Sequence, residues 1–495
     1  MNPRGAEAGR PLGDSLYDAV LLTPRFQLLL VLAFAAFAFF SKLDGHGLAN
    51  YDDCIYAQQG KEILATGNWL TIHIEGRPVF DTPPLFPWLV TLSYKIFGVG
   101  EYAARFPSAL GGLLAVAMTY LLARKLFNPW VGFFSAFVLA ATIPFARYAR
   151  HALRDVPLAF LVCLAILALV LALQKDRRYF LLWGVSIAAC LAMKSILGLL
   201  PLAISGLYIL AARKWSVLRE PYFWLGNLLL TVVGLAWYAH QYWLHGQAFV
   251  EGHFVQLIWS YGVVKGSHSW GSHLYYLQEL ATGYWPWLPF SLIGGVKLWK
   301  AGKGMRDERT TLLLLWVMVY LVGLSLAGAK NIRYLLPLFP ATAVLSGYAL
   351  DQLLAERGKR IFVRGAALFT VIGALVVNAT PLPLSSEREV EVRVLAPYVK
   401  HFVDQGARVI ASPEVHFNKN NALLFYSDHG ATPVKLAPKR LQRAFAGSGL
   451  VLCLVRRAEV PAVSRSVPEA RLVREAGELV LLANRELDIR GIKTW

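Results

Sequence analysis

The sequence predicts a polytopic α-helical membrane protein, with about eleven transmembrane helices and a small C-terminal α/β domain. Three observations carry that prediction. The chain of 495 residues is 56% hydrophobic and only 16% charged, less charge than a soluble protein of this size carries. Apolar windows of more than about 17 residues recur through the first 380 positions. Beyond them the apolar runs shorten to strand length.

The windows fall at 26–42, 102–123, 130–147, 155–174, 179–195, 196–212, 221–244, 274–298, 311–329, 333–351 and 362–380. The first is followed by Lys42 and Asp44 without a cleavage-site pattern, so it is read as a retained anchor and not a signal peptide. The net charge is +18. The basic residues sit between apolar windows and form no nucleic-acid motif, so the membrane charge bias accounts for them. Arg4, Arg10 and Arg25 precede the first window, and Arg124 and Lys125 follow the second. Lys175, Arg177, Arg178, Arg213, Lys214 and Arg219, then Lys297 to Arg309 and Arg357 to Arg364, occupy later alternate loops. Simple alternation puts all of them on the cytoplasmic side. The N-terminus is then inside and the segment after 380 outside. Residues 84–98, PLFPWLVTLSYKIFG, would reverse every later loop as a full crossing. They are placed instead as an interfacial helix on the outer face.

Residues 1–380 thus form a membrane unit, with 43–100 as an outer juxtamembrane loop, and 381–495 an outer domain that starts with Pro381-Leu382-Pro383. In that domain 408–412, 422–427, 433–437, 450–455 and 478–484 read as strands, and Pro438 to Phe445 as a helix. It carries no catalytic motif and reads as a structural or acceptor-positioning cap. Cys163 and Cys190 lie inside predicted helices as packing residues. Cys54 and Cys453 lie outside and far apart. No CxxC spacing implies a disulfide framework or zinc knuckle.

The chemistry concentrates in the outer loop. Asp52, Asp53 and Asp81 beside a bilayer are costly unless paired or reactive. Asp52 to Thr66 reads as a short helix, with Asp52 or Asp53 capping its start and Gly67-Asn68 ending it. Asp52, Tyr56 and Gln59 then share one face. Phe80-Asp81-Thr82-Pro83-Pro84 is stiffened by its two prolines. The plain readings are a capping aspartate and a structural turn. Arg147, Arg150 and Arg154 beside Asp155, then Lys194, Lys265 and His268, and finally Lys330 and Arg333 before Tyr334, each break an apolar pattern near an outer helix end. Taken singly, each reads as snorkelling to headgroups. Together with the acidic loop they read as a polar cavity suited to a lipid-linked phosphate. His253, two residues after Glu251, is a lone loop histidine, ordinarily neither ligand nor base.

These motifs resemble the GT-C glycosyltransferases, and within them the bacterial aminoarabinose lipid A transferases and the dolichyl-phosphate-mannose–protein mannosyltransferase-like proteins. The resemblance runs from about residue 26 to 350. Asp52-Asp53-Cys54-Ile55-Tyr56-Ala57 with Glu62-Ile63-Leu64 and Gly67-Asn68-Trp69 is similar to the family's D-E-x-x-Y-A, E-M-L and G-D-W stretch. Phe80 to Leu85 is similar to F-E-K-P-P-L, Arg105-Phe106-Pro107-Ser108 to R-x-P-S, and Arg150 to Pro157 to the A-R…L-D-P segment. Met193-Lys194-Ser195 resembles T-K-G, and Arg333 to Pro337 resembles R-Y-x-L-P.

The resemblance implies transfer of a sugar from a polyprenyl-phosphate donor to a lipid A, glycan or protein acceptor at the outer face of the inner membrane. It implies Asp52 as base or acceptor orienter and Asp155 as a second acid. Lys194, Arg333, Tyr334 and Arg150 would hold the donor phosphate, and Asp53 and Tyr56 would touch substrate. Asp81 and His253 match positions that bind a divalent metal in some members. The sequence departs from the pattern in three places: Thr82 replaces a lysine, Asp81 is one methylene shorter than the usual glutamate, and Pro157 lies two residues after Asp155 instead of one. Two other classes compete. A polyprenyl-phosphate flippase should show paired repeats and midplane charges, whereas a non-catalytic assembly subunit should tolerate alanine at Asp52.

Overall fold

The computed structural model describes residues 23–264, 274–302, 304–380, 389–446 and 449–492. Arg4, Arg10, Lys265, His268 and the Pro381 to Pro383 segment lie outside them.

The chain opens with α1 (Pro24–Phe40), where the Thr23 hydroxyl caps the Phe26 amide at 3.2 Å and Pro24 begins the helix. The outer loop folds as α2 (Asp52–Thr66), the hairpin β1 (His73–Ile74) and β2 (Arg77–Pro78), then α3 (Leu85–Phe97). Helix α2 ends at Gly67 with φ of 71°, a left-handed cap that glycine takes without strain. The apolar helices follow: α4 (Glu101–Leu126), α5 (Pro129–Ala141), α6 (Ile143–Ala149), α7 (Asp155–Gln174), α8 (Tyr179–Lys194), α9 (Leu200–Ala211) and α10 (Pro221–His245). A π-helical stretch over Val250–Val264 leads to α11 (Tyr275–Gly283), α12 (Trp287–Ala301), α13 (Glu308–Leu326), α14 (Phe339–Leu353) and α15 (Glu356–Ala379).

Among the described residues six helices are long and apolar enough to cross a membrane, with α8 and α9 joined as one span over Tyr179–Ala211 where two crossings were expected, or seven if the bent pair α5–α6 counts as one. Several expected single spans are broken. The 130–147 window bends by 66° at Thr142. The 274–298 window divides into α11 and α12, and the start of the 333–351 window is a tight turn over Ile332–Leu338. Pro144, Pro286 and Pro337 stand at these breaks, where a missing amide hydrogen costs the helix a bond. The core runs through α4, which packs on α5 and α7, and through α8, which packs on α7 and α10. A Cβ at Gly111 of α4 would lie 2.8 Å from the Pro157 Cα, so glycine there lets α4 seat the first turn of α7 closely.

The C-terminal part is a small α/β unit: α16 (Val390–Asp404), β3 (Arg408–Ala411), α17 (Pro413–Ser427), β4 (Thr432–Pro433), α18 (Pro438–Phe445), β5 (Val451–Arg456), α19 (Val460–Ser466), β6 (Arg471–Ala476) and β7 (Leu479–Ala483). Its sheet has the order β4-β3-β5-β7-β6. β3 is parallel to β4 and β5, and β7 is antiparallel to β5 and β6, with Val409 opposite Leu452 and Leu454 opposite Leu481. The strand expected at 422–427 is instead the end of α17. The Ser412 hydroxyl accepts from the Val415 amide at 3.5 Å and Pro413 starts the helix, so the capping signal outweighs local β-propensity. The expected 433–437 strand overlaps β4 (Thr432–Pro433) only at Pro433. The unit rests on α2 and its approach. Lys61 pairs with Asp428 and donates to the Phe425 carbonyl at 2.9 Å, and the Tyr426 hydroxyl accepts from the Leu48 amide at 2.9 Å.

Candidate active site

The two aspartates that open α2 face different ways, about 100° apart on the helix. Neither caps it: the N-cap is Tyr51, with no side-chain capping bond. That corrects the capping expectation, because both carboxylates have stronger partners. Asp52 pairs with Arg333, its side chain 29% exposed. Asp53 turns inward, 3% exposed, to the His151 Nδ1 at 2.8 Å and the Ala49 amide at 3.4 Å. Burial opposes its charge, but the His151 ring and the Arg105 guanidinium outweigh burial and hold the carboxyl below its ordinary range. Arg105 also donates to the carbonyls of Leu43, His46 and Gly47 at 2.7–2.8 Å, which fixes the chain entering α2.

On the Asp52 side, groups from four segments meet. Asp155, at the start of α7, pairs with Lys194 at the end of α8, and both are buried. The Lys194 ammonium lies 4.1 Å from the centre of the Tyr334 ring, a cation–π contact. Arg333 pairs with Asp52 and is within electrostatic reach of Asp155. Arg154 lies over the Tyr56 ring at 5.3 Å and within reach of Asp52, Asp81 and Asp155. Arg154 Nη1 and Arg333 Nε are buried without a hydrogen-bond partner among the described residues. Burial above all, and the nearby carboxylates with it, push the Tyr56 phenol up despite Arg154, so it stays neutral and able to donate.

Ser195 follows Lys194 with φ of 48°, a strained conformation for a side chain with a Cβ. The resembled T-K-G motif has glycine there. The serine hydroxyl meets the His253 Nε2 at 2.9 Å, and the His253 Nδ1 meets the Phe80 carbonyl at 2.6 Å. Burial, with Arg154 nearby, lowers the His253 pKa, so the ring is neutral near pH 7. A carbonyl only accepts, so Nδ1 carries the proton and Nε2 accepts from Ser195. Both nitrogens are then used. Asp81 accepts from Thr82 at 3.0 Å. In this structure both residues of the pair expected from the resemblance are engaged with protein groups. Among the described residues no group of three or more His, Cys, Asp or Glu is placed to hold one.

Arg150 is not brought to the Lys194 group. Its guanidinium donates to the carbonyls of Ala38, Phe39 and Lys42 at 3.2–3.5 Å, at the end of α1.

Comparison with known proteins finds similar sequences and a similar fold. Residues 81–240 match the family profile of dolichyl-phosphate-mannose-protein mannosyltransferase. The chain is 28% identical over 374 residues to an undecaprenyl phosphate-α-4-amino-4-deoxy-L-arabinose arabinosyl transferase of Pseudomonas fluorescens, covering 72% of this chain and 66% of the relative. It is 30% identical over 365 residues to the corresponding transferase of Pseudomonas aeruginosa, covering 71% and 64%. The match therefore spans just under two thirds of these relatives. The structure superposes on ArnT from Cupriavidus metallidurans bound to undecaprenyl phosphate with a TM-score of 0.75 and 20% identity, over 92% of this chain and 97% of that one. It superposes on the apo Archaeoglobus fulgidus oligosaccharyltransferase with a TM-score of 0.55 and 12% identity, over 89% and 71%. The chain has the GT-C fold.

In this chain the structure gathers Asp52, Tyr56, Asp155, Lys194, Arg333 and Tyr334 in one cluster. Asp53 turns to His151 instead, and Arg150 to the carbonyls at the end of α1. Sequence reading left four residues out of the candidate site: Arg154, His151, Ser195 and Arg105. Arg154 stood in view as one of three arginines before Asp155, and only the fold separates it from Arg147 and Arg150. His151 carried no signal beyond its neighbours. Thr82, in the place of the family's lysine, bridges Gln59 at 3.2 Å to Asp81. Arg154 supplies a cation within reach of that turn.

Proposed function

We propose that this protein is an integral-membrane glycosyltransferase that moves a sugar from a polyprenyl-phosphate donor to a cell-envelope acceptor: lipid A, a glycan or a protein. The observation that carries the reading is the cluster of Lys194, Arg333 and Arg154 around Asp155 and Asp52. The relatives with undecaprenyl phosphate in their names support a donor of that class.

In this reading the donor phosphate takes hydrogen bonds from Lys194 and from the unpartnered Arg154 Nη1 and Arg333 Nε. Its negative charge competes with Asp52 for Arg333, and Asp52 is freed. The acceptor oxygen attacks the anomeric carbon with inversion while the carbon–oxygen bond to phosphate breaks. The electron pair leaves on the phosphate, where the three cations stabilise the developing charge. A hydroxyl acceptor gives its proton to Asp52. Tyr334 holds Lys194 in place through its ring, and the Ser195–His253–Phe80 chain holds the Lys194 turn against the Phe80–Pro84 loop.

The reading includes a site in the inner membrane, eleven crossings, a cytoplasmic N-terminus and an extracytoplasmic unit from 381 to 495. A transporter is less well supported, since the charges gather at helix ends and on the extramembrane helix α2, not at a midplane between repeats. Mass spectrometry of lipid A and envelope glycans from cells with and without the gene tests the function. A sugar lost on deletion, restored by the wild type and not by Asp52→Asn, is the expected result. An unchanged envelope refutes it.

A further inference from the structure

A cavity of about 730 Å³ lies between α1, α5, α6 and α15, and no residue of the Lys194 cluster lines it. Its walls are apolar: Phe34 and Phe37 of α1, Phe137 of α5 and Phe369 of α15. The wall is open to the surroundings, with Phe369 60% exposed and Ile143 at its edge 70% exposed. Its other end is basic. Arg147, exposed, and Arg150, buried, line it together with His46 and His151. His46 is 3% exposed, and its Nδ1 has no hydrogen-bond partner among the described residues. An aromatic slot between spanning helices that ends in two arginines and an unsatisfied ring nitrogen matches an amphiphile with an anionic head.

We propose that this cavity binds an anionic membrane phospholipid, its phosphodiester at Arg147, Arg150 and His46 and its upper chains against the phenylalanines. The occupant follows from the charge balance. Two guanidinium groups and no carboxylate line the cavity, so a zwitterionic head would bring its own cation against them, whereas a singly charged anionic head would not. The polar end is linked to α2 through one residue. His151 lines the cavity and holds Asp53, the residue after Asp52. A head bound against His151 stiffens the first turn of α2 and so the position of Asp52. This coupling rests on the proposed transferase activity; the binding does not.

The test is native mass spectrometry of the full-length protein released from nanodiscs of phosphatidylglycerol or phosphatidylcholine, with Arg147→Glu and Ala141→Trp as variants. Arg147→Glu reverses a rim charge. Ala141→Trp fills the apolar slot and leaves every basic group in place. The wild type should retain one phosphatidylglycerol and no phosphatidylcholine. Each variant should retain it at least tenfold more weakly, with an unchanged thermal midpoint. An excess of polyprenyl monophosphate should not displace it. Equal retention of the two lipids, or retention by both variants as by the wild type, overturns the proposal. Displacement by polyprenyl monophosphate also overturns it and assigns the cavity to the donor lipid. In a transfer assay, phosphatidylglycerol should raise the wild-type rate and not that of Arg147→Glu. Binding without that difference keeps the site and removes the coupling.

Discussion

Asp52→Asn and Asp53→Asn should separate chemistry from stability in adjacent residues. The Asp52 side chain is 29% exposed and its Arg333 partner 21% exposed. A pair so open to water contributes about 0–1 kcal/mol, so Asp52→Asn should leave the unfolding midpoint almost unmoved. The lost charge matters in the reaction. A positioned base contributes about 10²–10⁴ in rate, which is roughly 3–5 kcal/mol of barrier. Asp53 is the reverse case: its side chain is 3% exposed and faces His151 at 2.8 Å. Weakening that charged hydrogen bond should cost about 1.5–3 kcal/mol of stability. Turnover should fall far less than in Asp52→Asn. The assay uses purified protein in nanodiscs, unfolding followed by intrinsic fluorescence, and single-turnover transfer from a polyprenyl-phosphate sugar to envelope extract. A folded Asp53→Asn without activity, beside an active Asp52→Asn, would place the working carboxylate one residue later. Activity in both would move the base elsewhere, with Asp155 the next candidate.

Other outcomes follow from the same geometry. Lys194→Met leaves the Asp155 carboxylate buried and unpaired and should cost about 3–5 kcal/mol of stability; adding Asp155→Leu should restore most of the midpoint without restoring transfer. Arg154→Gln should weaken donor binding at least tenfold, read by titration with polyprenyl phosphate, while the circular dichroism spectrum is unchanged. The His46 pKa is lowered to about 4 by burial, then by Arg105, His151 and Arg150. The unfolded chain takes up that proton near pH 6.5 and the folded one only near 4, so stability is full above 6.5 and falls by roughly 1.4 kcal/mol per unit as pH drops toward 4. In His46→Gln the fall should be shallower by one proton, as measured by denaturant titration at stepped pH.

The fold was legible wherever a local signal determined it. The apolar windows mark the helices, and Asp52–Thr66 and Pro438–Phe445 fall on the expected boundaries. What local signals misread was continuity. A window average passes over Thr142 and Pro286 because the apolar side chains continue while the backbone turns. The strand expected at 422–427 failed for the opposite reason, since a cap ten residues upstream governs it. In the site, residue types singled out Asp52, Asp155, Lys194 and Arg333. They do not say which of Arg147, Arg150 and Arg154 turns toward Asp155. That choice depends on the short helix α6 and the turn after it, which send Arg150 to the carbonyls of α1 and Arg154 to Tyr56. The inward turn of Asp53 was equally hidden, because its partner His151 is 98 positions away.

The charge count around the cluster bears on why such a site would favour phosphate departure. Lys194, Arg333 and Arg154 carry three positive charges against the carboxylates of Asp52 and Asp155, with Asp81 exposed. A sugar on a polyprenyl phosphate is a phosphodiester with one negative charge, and its arrival would balance the inner group. When the bond to the anomeric carbon breaks, the phosphate gains a second negative charge as the sugar leaves. The buried Nη1 and Nε donors of the two arginines are already in place, so little reorganisation is needed at the moment the charge appears. The same donors would hold the lipid-phosphate product once the sugar has gone. In the proposed cycle the charge that speeds departure would therefore slow release of the product, and Arg154→Gln should relieve product inhibition by polyprenyl phosphate even as it lowers the rate of transfer.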